Sequence, residues 1–159
     1  MLIQKKLLPV LSIFLISFNC FSQKKADTAI AVHYQTNDFD VAIFPSDKSK
    51  NQFTPTKQDV DKAELALKTH LKDLDTGHMD KMNEEVIKSK MNNYQRQYFG
   101  CIATNGHKIL YINAFWKDHE FDNWLKQRII VEDGASHYWH IEFDLNSGKL
   151  SELWANGPG

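Results

Sequence analysis

Residues 137–145 (HYWHIEFDL) alternate with period two, and that alternation constrains the fold more than any other stretch of the chain. Trp139, Ile141, Phe143 and Leu145 fall on one side and Tyr138, His140, Glu142 and Asp144 on the other. A strand with one apolar and one polar side belongs in an antiparallel sheet that covers a core with one face and meets water with the other. Asn146-Ser147-Gly148 turns the chain into a last strand over 149–155, and residues 129–132 read as strand leading through Asp133-Gly134 into 137–145. Upstream, Asn105-Gly106 between two β-rich runs predicts a hairpin with a two-residue turn. That turn sets Thr104 against His107, Ile102 against Ile109 and Gly100 against Tyr111. Alternation then assigns Phe99, Cys101, Ala103, Leu110, Ile112 and Ala114 to the core face. Arg96, Tyr98, Ile102, Ile109, Tyr111 and Asn113 go to the other face.

The segments before residue 94 supply a cover for that core face. Thr54 is placed to cap a helix with Pro55 at its first position, where a missing N–H costs nothing. Val60, Ala63, Leu67, Leu71 and Leu74 follow at spacings of three and four, one apolar stripe closed by Asp75-Thr76-Gly77. A second helix is predicted over 79–91, with Met79, Met82, Val86 and Met91 on one side as ordinary packing. Two short strands precede these, at 29–34 (AIAVHY) and 39–44 (FDVAIF), with a polar loop at 45–52; a charged connection, KDHEFDNWLKQR, occupies 117–128. The fold class expected is α+β: one or two N-terminal amphipathic helices packed on a four-stranded antiparallel β-meander.

Composition bears on compartment and partners. Lys5 and Lys6 precede an apolar run over 7–18, and Cys20-Phe21-Ser22 sets small residues one and three places before a cut, so residues 1–22 read as a signal peptide. The run is shorter than the roughly 20 residues needed to cross a bilayer, so no membrane span is expected after cleavage. Cleavage is favoured over lipid anchoring through Cys20, because Phe18-Asn19 are not the small residues that precede a lipidated cysteine. Residues 23–159 then form a single exported domain, periplasmic or extracellular. Removing 1–22 takes away two lysines and no acid, leaving the rest more acidic than the formal net charge of −1. A nucleic-acid binder would need a basic patch, so no nucleic acid is expected as a partner. With Cys20 removed or lipidated, Cys101 has no disulfide partner and reads as a buried structural thiol.

The motifs that suggest chemistry fail on spacing. His137 and His140 are three apart on a strand and point to opposite faces, so they do not chelate together. His119-Glu120-Phe121-Asp122-Asn123 has Asn where a zinc-protease helix needs its second His, and reads as a solvated charged loop. Asp144 to Gly148 resembles the start of a calcium loop, but glycine takes the fifth place and Ala155 the twelfth, leaving a turn. No catalytic residue, metal ligand set or cofactor is expected. What remains is the polar sheet face, where Arg96, Tyr98, Tyr111, Asn113, Tyr138, His140 and Glu142 would lie side by side, with Trp154 able to join them. Aromatic rings beside a cation, an amide and a carboxylate suit the binding of a peptide or small ligand.

Residues 134–156 carry a resemblance. The run YWHIEFDLNSGKLSEL, with Asp144, Ser147-Gly148-Lys149 and Leu150 as matching positions, resembles the tail of PepSY-type modules. The chain departs from them in a second helix and in the long charged connection. More broadly, YQRQYFG, KILYINAF, EDGASHYWHIEFDL and LWANG make residues 54–157 similar to a group of small uncharacterised exported bacterial proteins. The PepSY resemblance implies a non-catalytic binding or inhibitory module, often directed at peptidases; the partner expected here is a peptide or an envelope protein. The alternative is a cone-shaped, cystatin-like or nuclear-transport-factor-like fold, holding a ligand or an active site between helix and curved sheet, with His137 or Cys101 on the pocket wall. A helix-side pocket containing a titratable residue favours the alternative, and a solid core favours the module.

Overall fold

The computed structural model describes residues 30–47, 51–74, 76, 79–119 and 121–157; the predicted signal peptide, with Cys20, lies outside them. The chain forms β1 (Val32–Gln35), β2 (Asp40–Ile43), β3 (Gln52–Phe53), α1 (Lys57–His70), α2 (Lys81–Ser89), β4 (Tyr94–Ile102), β5 (Lys108–Trp116), β6 (Tyr138–Asp144) and β7 (Lys149–Ala155). The strands make one sheet in the order β1-β2-β4-β5-β6-β7, with β3 joined to the end of β4. The α+β class and the antiparallel meander β4 to β7 are as expected, but the sheet is wider. The N-terminal hairpin adds to it through a parallel seam, Val41 to Ile43 against Arg96 to Tyr98. Residues 129–132 are not strand. Among the described residues no helix is long and apolar enough to cross a membrane.

Both helices begin later than predicted, for local reasons. Thr56, not Thr54, caps α1: its hydroxyl accepts from the Asp59 N–H while the Asp59 carboxylate accepts from the Thr56 N–H at 3.0 Å. This reciprocal box needs an acid three residues after the cap, which Thr56 has and Thr54 lacks. Thr54 instead accepts from the backbone of Ser46. Asp80 caps α2 by accepting from Met82 and Asn83. On α2 the buried residue is Ile87 and Met82 is 73% exposed, whereas Met79 and Met91, just outside the helix, pack against the core as expected.

The hairpin β4–β5 corrects the predicted faces. Its loop has three residues, with Ala103 N–H donating to His107 O and Gly106 N–H to Ala103 O, and Gly106 is left-handed at φ +83°. Tyr98 therefore faces Ile112, Phe99 faces Tyr111 and Gly100 faces Leu110. One extra loop residue turns every β4 side chain over, because side chains alternate with period two. Arg96 and Tyr98 join Leu110, Ile112 and Ala114 on the helix side; Phe99 and Cys101 go to the far side with Tyr111 and Asn113.

The core lies between α1 and the sheet. Val60, Ala63, Leu67 and Leu71 pack on Val41, Tyr98, Ile112, Trp139, Ile141 and Phe143, which draws together four strands of the sheet. At the seam with β3, a Cβ on Gly100 would stand 2.3 Å from Phe53 O, so only glycine fits there. The far face is covered too. The connection 117–132 runs across it as an irregular strap, and Trp124 and Leu125 pack on a second cluster of Ala31, Ala42, Phe44 and Phe99.

A candidate ligand cleft beside a buried ion pair

Glu64 lies on the stripe of α1, four residues after Val60 and three before Leu67, so the helix carries a carboxylate toward the sheet. Arg96, two places before Tyr98 on β4, meets it. Arg96 Nε is 2.7 Å from Glu64 Oε1 and Nη2 is 3.0 Å from Oε2, while Tyr98 donates to Oε1 at 2.6 Å. Arg96 is 2% exposed, and its Nη1 donates to the carbonyls of Met91 and Tyr94. Burial alone would lower the Arg96 pKa, but the adjacent carboxylate outweighs it and holds the group above its ordinary value. Burial, reinforced by Glu64, raises the Tyr98 phenol far above its own. The result is a bidentate, pre-set charge pair of the kind that fixes geometry more than it adds stability.

A cleft of about 310 Å³ opens over this pair. Glu64 and Arg96 reach it from below, Asp61 and Lys68 from α1, Asp38 and Phe39 from the β1–β2 turn, and Met91 from the residues before β4. The mouth is held by surface contacts. Lys68 Nζ lies 3.2 Å from Asp38 with both side chains mostly exposed, and Tyr34 donates to Asp61 at 2.9 Å. An exposed pair of this sort contributes at most about 1 kcal/mol.

The seven residues predicted to share a polar face separate. Arg96 and Tyr98 are on the helix side, whereas Tyr111, Asn113, Tyr138, His140 and Glu142 do share the far face. Trp154 stands opposite His140 on β7 and is 46% exposed. This face is not open, however: Tyr111 is 5% exposed. Gln97, also turned to this side, donates to the Trp124 and Gln127 carbonyls and accepts from Ile129 N–H and Asn113, which anchors the strap. Arg128 of the strap donates to Tyr111 Oη at 2.6 Å, its guanidinium 4.6 Å from that ring's centre, and Tyr111 stacks on His140 at 5.3 Å. Burial, aided by Arg128, pushes the His140 pKa down to about 4. Burial, then Glu152, raises Glu142.

Neither His137 nor Cys101 lines the cleft. His137 ends a single 3-10 turn and packs edge-on to Trp116, and Cys101 is buried on the far face. The Asp144 carboxylate is used up as a turn requires, accepting from Asn146 and Ser147 N–H and pairing with His107 at 2.7 Å. Two residues central to the structure were passed over in the sequence. Glu64 was visible as a carboxylate inside an apolar stripe, while Arg128 had no such signal. No family model, curated protein or solved structure matches the chain.

Proposed function

We propose that the domain is a ligand-binding module whose site is the cleft between α1 and the β1–β2 end of the sheet. The observation that carries this is a buried, fully oriented carboxylate–guanidinium pair under an open cleft on the helix side. Core packing alone does not call for charge at that place, since a buried ion pair is no more stable than apolar residues of its size. The side chains facing the opening favour a small cation with an apolar body. Three carboxylates, Asp38, Asp61 and Glu64, stand against two cations, Lys68 and Arg96; with Asp38 on Lys68 and Glu64 on Arg96, the remaining negative charge is that of Asp61, which accepts from Tyr34. Phe39 and Met91 offer apolar walls. Export belongs to this reading, on the strength of Lys5, Lys6 and the apolar run 7–18. So does the likeness to PepSY-like and cystatin-like modules, supported by a helix lying on an antiparallel meander; the strap and the parallel seam depart from both.

A second reading keeps a peptide as partner. β7 has an outer edge with no neighbouring strand among the described residues, and Trp154 beside it is exposed, which suits strand addition. Amide chemical-shift mapping with butylamine, phenethylamine and agmatine, against butyrate as control, separates the two. Shifts confined to residues around Asp38, Leu65 and Asn92, given by the amines and not by butyrate, support the cleft. No shifts there with any of the amines would end that reading, and shifts along β7 with an extended peptide would establish the second.

A further inference from the structure

His119 and His137 each fail as metal ligands within their own stretch of sequence, yet the fold brings them together. His119 stands in the turn that follows β5, and His137 closes the 3-10 turn Ala135–His137 that leads into β6. Their ring centres are 5.7 Å apart with the planes inclined at 55°. Two imidazoles sharing a tetrahedral zinc at about 2.0–2.1 Å per nitrogen place their ring centres about 5 Å apart, so the spacing here is within about 1 Å of that of a chelating pair.

We infer that His119 and His137 form a two-imidazole site for a borderline divalent cation of the zinc or copper kind, water completing its coordination. Both rings are partly accessible and both are held in place. His119 Nδ1 is hydrogen-bonded to the Tyr138 hydroxyl, which leaves Nε2 to face an ion; a bond to the second ring nitrogen is how metal-ligating histidines are usually oriented. His137 lies edge-on to Trp116 with centres 4.0 Å apart, which restricts its swing. The described residues contain no group of three His, Cys, Asp or Glu able to surround an ion. The site therefore keeps open positions, and imidazole selects zinc, copper or nickel over magnesium or calcium. Lys90, 5.5 Å from the Trp116 ring centre, adds positive charge on this side.

The test is calorimetric titration of Zn²⁺ into the full chain, made without a histidine tag and freed of metal, with Mg²⁺ as control. One ion per chain is expected, bound at least tenfold more weakly after His119→Gln or His137→Gln. After Tyr138→Phe it would be bound about 10–100-fold more weakly. His107→Gln, altering the ring paired with Asp144, leaves the affinity unchanged. An absence of Zn²⁺ binding, or binding that survives both histidine substitutions, would overturn the inference. Should His137→Gln fail to fold, His119→Gln in its turn decides alone, its urea midpoint showing that the fold is intact.

Discussion

Consider lowering the pH beneath the strap. His140 stacks on Tyr111, to which Arg128 of the strap is bonded, and its pKa is pushed from 6.5 to about 4 by burial and then by Arg128. The unfolded chain takes up this proton near pH 6.5 and the folded one only near 4, so between those values the unfolded chain holds more protons. Stability is therefore fully present above pH 6.5 and is lost as pH falls toward 4. At full strength the loss is about 3 kcal/mol, which partial exposure of the ring brings to about 2; Glu142, whose raised pKa favours the folded state on acidification, is present in wild type and variant alike and drops out of their comparison. Asp144, held at about 2 against an ordinary 3.8, acts only below this window. The assay is the urea midpoint of wild type and His140→Gln at several pH values from 7.5 to 4, for a domain small enough to unfold as one unit. The wild type is expected to lose about 2 kcal/mol more than the variant across that range. Parallel curves would refute the account of His140 as a buried neutral ring.

Three other perturbations test the packing. Glu64→Ala leaves Arg96 buried without its carboxylate and is expected to cost about 3–5 kcal/mol by denaturant unfolding, whereas replacing both partners together by apolar residues recovers most of that. Trp139→Ala, at a site 1% exposed on the helix face, is expected to cost about 3–5 kcal/mol, and an unchanged midpoint would contradict its place in the core. Thr56→Ala is expected to lower stability by about 1 kcal/mol through loss of the cap; an equal or larger loss from Thr54→Ala would contradict the cap assignment.

The strands of the meander were legible because their side chains alternate, and α1 because its stripe is regular. What alternation could not supply was parity on β4. Asn105-Gly106 serves a two-residue loop and also the last two places of a three-residue one, and the choice decides whether Arg96 faces water or Glu64. The strap was hidden by composition. Phe121, Trp124, Leu125 and Ile129 are scattered among charged residues without helical or strand periodicity, yet they cover a sheet face. Irregular backbone has no period to read. Its anchoring through the amides of Gln97 and Asn113 depends on contacts between residues 16 to 32 positions apart.

The parallel seam between β2 and β4 has a kinetic meaning. Val41 finds Arg96, and Ile43 finds Tyr98, only after both helices have been spanned, whereas β4 to β7 mostly find partners nearer in sequence. Closing so long a loop is entropically late, so the meander with α1 would assemble before the N-terminal hairpin docks. The same order run backward makes β1–β2 the first unit to detach, carrying Asp38 and Phe39 away from the cleft. In hydrogen exchange its amides would then open at lower free energy than those of β5 and β6, and the mouth of the cleft would belong to the least stable part of the sheet.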